Sequence, residues 1–304
     1  DLCWSPDSKT IVYIMKPSVG KEYSFHTYMS LYLYNTETKT SIDLMENDKE
    51  HGYLTTPVFS PNGKKIAFGL MKRDGYESDV KELYVYDLEK HSASQVETTF
   101  KDSISTLGWL EDSETIIFAG MWHAHLSVYR ISLNNSEAVK LTENDFDYDD
   151  LTVVGNRIYA KRSSNTCAHE IACIDVGASN KITQITFENK HIFDQLKEVR
   201  FEERWVDSVD GKKIHTWVVF PPNFDPNKKY PTLLFCTGGP QQPILNRWNY
   251  RWNFMLMASN GYVVVCPNRR GCPSFGIEWT EEISLHFGQH SMDDLLSCID
   301  SVAK

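Results

Sequence analysis

The chain lacks any long hydrophobic run, and this absence excludes one class of protein. No apolar stretch approaches the roughly eighteen residues that a transmembrane helix needs. The first six residues resemble no signal peptide; they look like the middle of a domain, so a targeting sequence could have been lost upstream. Basic residues occur only in short runs, and 31 of them against 41 acidic residues leave a net charge of −10. That balance argues against a nucleic acid or an anionic membrane as partner.

Cysteine patterns typical of a disulfide scaffold or a zinc site are also missing. The seven cysteines include no C-x-x-C pair and are too sparse for a disulfide framework. Cys236 and Cys266 lie in apolar stretches, so the sequence favours free thiols that pack as small hydrophobes. One bridge stays open, between Cys167 and Cys173 across a hairpin. The cysteines do not identify the compartment, for which a periplasmic or secreted location is slightly favoured over a cytoplasmic one.

A repeated pattern fills the first part of this otherwise ordinary globular sequence. Residues 4–13, 59–68 and 109–118 each combine an aromatic residue, a tight polar turn and an apolar strand, and a degenerate copy begins near Leu151. Each copy is followed by another hairpin, whose first strands are residues 30–34, 82–86, 126–130 and 170–174. Four short strands per repeat, with Asn-, Asp- and Gly-rich turns, are typical of a β-propeller blade. The period-2 alternation excludes a helical repeat.

The sequence therefore predicts a partial β-propeller of about four blades in residues 1–195. An open arc of blades would leave an exposed strand edge, which invites aggregation unless something pairs with it. Because small rings are rare and the chain begins inside a blade, we expect about three further blades on the N-terminal side.

Residues 196–304 have a different pattern, which predicts the first half of an α/β-hydrolase domain and makes the overall fold class mixed. A hairpin with an Asp-Gly turn at residues 201–220 precedes an apolar strand at 231–235, an amphipathic helix at 249–260 and a second buried strand at 261–266. In this fold the nucleophile follows on a G-x-S-x-G elbow, and the acid and the base come later. No G-x-S-x-G motif occurs in the 304 residues, so none of the catalytic triad is assigned.

Gly238 and Gly239 are the candidate site residues. They follow the strand at 231–235, where the loop of an α/β-hydrolase supplies one backbone N–H of the oxyanion hole. Glycine suits that place because the backbone must approach the substrate without a Cβ in the way. The alternative is a plain tight turn, and the position between a buried strand and a helix favours the oxyanion loop.

The two helices of this portion are predicted to be structural. Helical spacing places four apolar side chains of the first helix in the core: Trp248, Trp252, Met255 and Leu256. The last helix is predicted to open with a capping box of Ser291 and Asp294. Asp293 and Asp294 suit its positive end and receive no catalytic role. Its packing face is predicted to comprise Met292, Leu295, Ile299 and Val302.

Two further clusters resemble metal sites without completing one. His123 and His125 would share one face of a strand, but no third ligand follows at a readable spacing, so an exposed blade strand is favoured. The aspartates at 145, 147, 149 and 150 lack the glycine and terminal Glu of a calcium loop, which favours a solvated loop between blades. Asn134 opens a glycosylation sequon whose composition is expected of a hairpin turn anyway. We predict no metal and no cofactor.

Propeller and hydrolase in this order resemble the prolyl oligopeptidase family, and within it the bacterial dipeptidyl and acylaminoacyl peptidases. The closest motifs are residues 238–241, 250–253, 260–264 and 267–271, with Phe275-Gly276 and Trp279. The resemblance implies a serine peptidase whose propeller caps the active site and limits access to short or unfolded peptides. Some family members carry a tyrosine of the oxyanion hole before the two glycines. Thr237 stands there in this chain, so the backbone N–H of Gly238 is the favoured donor.

The resemblance implies part of a serine exopeptidase that releases N-terminal dipeptides from short peptides, with a Ser-Asp-His triad beyond residue 304. The 304-residue chain alone is then expected to be inactive. An acylaminoacyl peptidase or an esterase of the same fold stays open, as does a noncatalytic propeller that binds a partner. Half a hydrolase sheet would expose a hydrophobic edge, which favours the enzyme. The expected partner is a peptide substrate, and a homo-oligomer stays open.

Overall fold

A computed structural model describes residues 1–47, 51–177 and 179–303. Its first sixteen strands form four antiparallel sheets of four strands, each sheet with its strands in chain order. We call these sheets blades 1 to 4. Their strands are β1 (Leu2–Trp4), β2 (Thr10–Met15), β3 (Ser30–Asn35) and β4 (Thr40–Asp43); β5 (Tyr53–Phe59), β6 (Lys65–Met71), β7 (Glu82–Asp87) and β8 (Ser92–Gln95); β9 (Ile104–Trp109), β10 (Thr115–Trp122), β11 (His125–Ser132) and β12 (Asn135–Lys140); β13 (Asp147–Val154), β14 (Arg157–Ser164), β15 (Cys167–Asp175) and β16 (Lys181–Gln184).

The polar turn of the repeat has the same hydrogen bonds in blades 1 to 3. The side chains of Asp7, Asn62 and Asp112 each accept the backbone N–H two residues further on, at 3.0, 3.0 and 2.9 Å. Short Asx side chains favour turns through this local bond. The residue directly after the Asp or Asn has a positive φ in each turn: 58° at Ser8, 71° at Gly63 and 57° at Ser113.

Successive blades pack through their first strands, since β1 contacts β5, β5 contacts β9 and β9 contacts β13. A separate apolar core lies between each pair of neighbouring blades. Gly108 of β9 is required by this packing, because a Cβ there would lie 2.4 Å from Cγ2 of Val153 in the next blade. The indole Nε1 of Trp109 donates to the carbonyl of Val58 at 3.1 Å, so the repeat's aromatic residue ties blade 3 to blade 2.

The first strands of blades 2 to 4 share a bulge that the sequence did not reveal. The strand register shifts beside Thr56, Thr106 and Asp150, and these residues have φ values of 53°, 34° and 51°. Left-handed backbone is uncommon for a β-branched residue such as Thr56 or Thr106, so the local preference of these two residues did not predict the bulge.

The fifth sheet is the α/β portion, with strands in the order β17 (Arg200–Asp207), β18 (Lys213–Phe220), β20 (Val263–Asn268) and β19 (Thr232–Leu234). The first three pair antiparallel, and β19 pairs parallel to β20. A short helix, α1 (Lys190–Phe193), precedes this sheet in the chain. The other three helices of the α/β portion are α2 (Phe254–Ser259), α3 (Ile277–Glu281) and α4 (Gln289–Ala303). The predicted fold class, propeller blades followed by an α/β sheet, is confirmed. The division at residue 195 stays a prediction, and Lys304 lies outside the described residues.

The predicted helix at 249–260 is wrong at its start. The side chain of Asn249 accepts the backbone N–H groups of Arg251 and Trp252 at 2.8 and 2.9 Å, and this local turn competes with helix. Asn253 caps α2 instead, since its side chain accepts the N–H of Leu256 at 2.9 Å. Trp252 and Leu256 are 46% and 66% exposed, so they do not lie in the core of the described chain.

The predicted start of the last helix is also wrong. Helix α4 begins at Gln289, and the N–H of Met292 bonds the carbonyl of Gly288, so Ser291 lies inside the helix rather than at its cap. Met292 is 55% exposed, whereas Asp294, Leu295 and Cys298 are buried. The inward face is therefore rotated relative to the predicted one. Among the described residues, no helix is long and apolar enough to cross a membrane.

Candidate functional site

A cavity of about 660 Å³ lies between the blades and the loop that follows β19. Blades 3 and 4 contribute one wall, which includes Ser105, Met121, Leu126 and Asp149. The opposite wall comes from the α/β portion and includes Phe235, Cys236, Thr237, Gly238, Gln241, Arg247 and Trp252. Residues of both predicted parts of the chain, the propeller blades and the α/β portion, thus line the cavity.

The two glycines of the loop have different surroundings. Gly239 has a φ of 138°, and a Cβ there would lie 2.8 Å from the backbone nitrogen of Gln241, so the turn itself requires glycine. A Cβ on Gly238 would meet nothing within 4 Å, and Gly238 borders the cavity. Both observations suit the oxyanion role, which stays a prediction for Gly238 and Gly239.

The side chain of Arg269 donates a hydrogen bond to the backbone of this loop. It follows β20 and is 6% exposed. Its Nη2 donates to the carbonyl of Thr237 at 3.1 Å, and its Nη1 donates to the carbonyl of Arg270 at 2.8 Å. Because parallel strands end at the same edge of a sheet, the segment after β20 lies beside the loop after β19.

The neighbouring Arg270 is the largest fully buried side chain of the described residues. Its Nε and Nη2 donate to the two oxygens of Asp294 at 3.0 and 2.6 Å, and its backbone N–H donates to the same carboxylate at 2.9 Å. Nη1 donates to Asp210 at 2.6 Å, and Ser208 donates to Asp294 at 2.7 Å. The prediction that Asp294 complements the helix end is therefore wrong, because its charge is neutralised by a buried arginine that lies far away in sequence.

Asp102 of blade 3 joins the propeller to the α/β portion. This residue is 6% exposed, and its Oδ2 accepts the backbone N–H groups of Ser274 and Gly276 at 2.9 and 3.0 Å. Ser274 in turn accepts two N–H groups of the β10–β11 turn, from His123 to its carbonyl at 2.7 Å and from Ala124 to its hydroxyl at 2.9 Å. Blade 3 thus both accepts hydrogen bonds from the loop after β20 and donates hydrogen bonds to it.

A second contact between the two portions involves the predicted histidine pair. His123 lies in the β10–β11 turn and His125 is 2% exposed, so the predicted exposed strand is wrong. Nε2 of His125 contacts Glu203 at 3.0 Å, and Nε2 of His215 lies 3.6 Å from the other oxygen of that carboxylate. The bond from His125 lowers the pKa of Glu203 to about 2, and burial lowers the pKa of His123. Among the described residues, no group of three or more His, Cys, Asp or Glu is placed to hold a metal ion.

The aspartates do not all lie in a solvated loop, as the sequence predicted. Asp147 opens β13 and is 2% exposed; its Oδ1 accepts the N–H of Leu126 at 3.0 Å, and burial raises its pKa. Asp149 borders the cavity, where its Oδ2 accepts from Arg247 at 3.1 Å and its Oδ1 accepts the N–H of Asp150 at 2.9 Å. Asp150 itself points away and pairs with Lys161.

All seven cysteines are free. Cys167 and Cys173 lie in the same strand, β15, so no hairpin brings them together and the open disulfide alternative is wrong. Burial raises the pKa of the Cys272 and Cys298 thiols to about 12, as expected of inert packed thiols. Cys236 is an exception, since it lies beyond β19, is exposed and borders the cavity.

Sequence reasoning missed the residues that hold this site together, namely Arg269, Arg270, Asp102, Asp149 and Glu203. Asp149 was considered only as a calcium ligand. The motif at residues 267–271 included Arg269 and Arg270. Two adjacent cations directly after an apolar strand were the sequence signal that could have identified these two residues. Their partners lie more than twenty residues away, and no local pattern identifies such pairs.

Comparison with known proteins agrees with this arrangement. Residues 248–304 match the family model described as the prolyl oligopeptidase family. Over its whole length the chain is 39% identical to the dipeptidyl-peptidase 5 of Porphyromonas gingivalis, and over 98% of its length it is 31% identical to that of Aspergillus fumigatus. The chain spans 44% and 43% of the lengths of these two proteins.

Solved structures give the same fold. The acylaminoacyl peptidase of Pyrococcus horikoshii superposes on 99% of the chain with a TM-score of 0.81 at 18% identity, and the chain covers 45% of that protein. The dipeptidyl peptidase 4 of Porphyromonas gingivalis superposes with a TM-score of 0.63 at 16% identity. The chain is therefore similar to members of the prolyl oligopeptidase family, as its motifs indicated, and spans less than half the length of the peptidases that it resembles.

Proposed function

We propose that this chain is part of a serine exopeptidase that hydrolyses short peptides and releases N-terminal dipeptides. The observation that carries the proposal is the loop of Thr237 and Gly238, which borders a cavity whose opposite wall is built by propeller blades. The similarity to dipeptidyl-peptidases along the whole chain supports it. The nucleophile, the acid and the base are then supplied by sequence beyond residue 304.

In this proposal the chain supplies one of the two hydrogen-bond donors of the oxyanion hole, and its propeller blades cover the active site. The nucleophilic serine adds to the scissile carbonyl carbon, histidine takes its proton, and the carbonyl oxygen becomes an oxyanion. The N–H of Gly238 donates to that oxygen, and such a donor is worth about 3 to 4 kcal/mol in the transition state. The blades restrict access, so short peptides enter and folded proteins do not.

Release of dipeptides requires a group that recognises the free α-ammonium of the substrate. Asp149 is suited to this role because its carboxylate borders the cavity from the propeller side and is about one third exposed. Each carboxylate oxygen has a second lone-pair site beyond the bond that it already accepts. An ammonium group can therefore bind beside Arg247 without displacing it.

Substitution of Asp149 by asparagine in the complete gene product is expected to raise KM for a dipeptidyl chromogenic substrate about tenfold or more, because a hydrogen bond to a charged group contributes about 1.5 to 3 kcal/mol. An N-acylated substrate has no ammonium to lose, so its KM is expected to change less than about twofold. Steady-state kinetics on both substrates measures the difference.

Asp150→Asn is the matched control, since it makes the same charge change on the neighbouring residue, which is paired with Lys161 outside the cavity lining. Equal losses on both substrates would remove the ammonium assignment from Asp149. A wild-type protein that cleaves only N-acylated peptides would replace the dipeptidyl proposal with an acylaminoacyl peptidase.

A further inference from the structure

Resting on the proposed function, we infer that Arg269 is a positioning residue of the oxyanion hole. Its guanidinium holds the carbonyl of Thr237 and thereby directs the N–H of Gly238 into the cavity. Arg269 touches no substrate in this arrangement. It acts through the peptide group between Thr237 and Gly238.

The geometry of that peptide group carries the inference. The only cis peptide bond among the described residues is Gly239-Pro240, so the bond between Thr237 and Gly238 is trans. In a planar trans peptide the C=O and the N–H point in opposite directions. Since Nη2 of Arg269 donates to the Thr237 carbonyl at 3.1 Å, the N–H of Gly238 is turned away from Arg269, and Gly238 itself borders the cavity.

Without this anchor the peptide group would have more freedom. Glycine adopts positive and negative φ with similar ease, and no side chain on Gly238 locks the orientation. A Cβ there would meet nothing within 4 Å, so the space beside Gly238 is open. The bond from Arg269 is a contact that favours one orientation of the donor.

Arg269 is itself firmly held. It is 6% exposed, and Nη1 donates to the carbonyl of Arg270 at 2.8 Å. The next two residues fix the chain on that side: Arg270 is paired with Asp294, and a Cβ on Gly271 would lie 2.8 Å from Cβ of Ile283. The buried ion pair thus gives a rigid base from which Arg269 reaches the loop.

The charge of Arg269 also strengthens the donor. A cation bonded to a carbonyl polarises the whole peptide group, and hydrogen bonds in such a chain reinforce one another. The N–H of Gly238 consequently becomes a better donor to a developing oxyanion than an unpolarised amide. Arginine suits this place because its planar guanidinium reaches two carbonyls at once, which the single ammonium of lysine does less well.

The test uses the complete gene product and three variants, Arg269→Met, Arg269→Lys and Arg157→Met. Arg157 is an exposed arginine of blade 4, paired with Asp175, and serves as the matched control. For a dipeptidyl substrate, Arg269→Met is expected to lower kcat about 100-fold, the size of a lost oxyanion donor, with KM within about twofold. Arg269→Lys is expected to recover part of kcat, since it restores the charge but not both bonds.

A peptide aldehyde inhibitor provides a second readout. When the catalytic serine adds to the aldehyde carbon, the aldehyde oxygen becomes the oxyanion, so inhibitor affinity is expected to fall in parallel with kcat/KM. A dipeptide amide has no electrophilic aldehyde carbon and no negatively charged oxygen at that position, so it is expected to inhibit all variants equally. A substitution that lowered only the stability of the protein would not change the affinity of one inhibitor relative to the other.

Unchanged kcat in Arg269→Met, or a rise in KM alone, would overturn the inference while the wild-type activity keeps the proposed function. A wild-type protein with no peptidase activity would overturn the proposed function itself, and Arg269 would then have no oxyanion to serve. If Arg269→Met does not fold, the lysine variant decides: a full kcat at wild-type melting temperature contradicts the inference, and a reduced kcat supports it.

Discussion

Substitution of Asp294 by alanine is expected to lower the free energy of unfolding by about 3 to 5 kcal/mol, because it removes the buried counter-charge of Arg270 and leaves it with the partly exposed Asp210 instead. Arg270 and Asp294 are 1% and 0% exposed, and three hydrogen bonds join them. Urea unfolding of the complete gene product, followed by tryptophan fluorescence, measures the change.

Asp293→Ala is the matched control, since Asp293 accepts hydrogen bonds from the side chain of Gln289 on the exposed side of α4. It is expected to change stability by no more than about 0.5 kcal/mol. A double variant, Arg270→Met with Asp294→Leu, is expected to recover much of the loss, because an apolar pair of similar volume replaces a buried ion pair at little cost. Equal effects of Asp293→Ala and Asp294→Ala would contradict the buried pair.

The second large effect is expected at the contact between propeller and α/β portion. Asp102→Ala leaves the buried N–H of Ser274 and the partly buried N–H of Gly276 without an acceptor, and such losses at a charged acceptor cost about 1.5 to 3 kcal/mol. Because this loop carries Arg269 at its start, we expect residues 272–276 to exchange amide hydrogens faster. Hydrogen exchange resolved by mass spectrometry measures it.

Asp102→Asn keeps one acceptor oxygen of the same shape and is expected to lose less than the alanine variant. Faster exchange is expected only near the loop and in the adjoining β10–β11 turn, which bonds Ser274. Uniform acceleration over all four blades, with no excess at residues 272–276, would show that Asp102 contributes to blade 3 alone.

The blades were predictable because their signals are local. Asp7, Asn62 and Asp112 bond backbone groups two residues away, and these bonds depend only on the residues of the turn itself. The bulges at Thr56 and Thr106 were not predictable, since they follow from the packing of one blade on the next and oppose the preference of threonine.

The start of α2 shows how two similar local signals compete. Asn249 and Asn253 are both good caps, and the sequence pattern favoured the first. In the structure Asn249 forms a turn with Arg251 and Trp252, and the helix begins after Asn253. Choosing between them required the tertiary position of the preceding loop.

The candidate site was predictable only in its backbone. Gly238 and Gly239 were proposed because a glycine pair between a strand and a helix is a pattern within one segment, and their oxyanion role stays a prediction. The contacts of Arg269, Asp149 and Glu203 became visible only with the structure, because each of these residues bonds a group from another strand or blade. Asp294 was interpreted from its own helix alone, and its partner Arg270 lies on the segment after β20.

Labelling of the purified gene product with a fluorophosphonate serine probe, alongside its intact mass, tests the central claim most directly. The account predicts a mass well above the 35.0 kDa of this sequence and covalent labelling of one serine outside residues 1–304. A folded protein that takes no label, or a 35.0 kDa product that is stable and inactive, would contradict the assignment to a serine peptidase and favour a noncatalytic propeller.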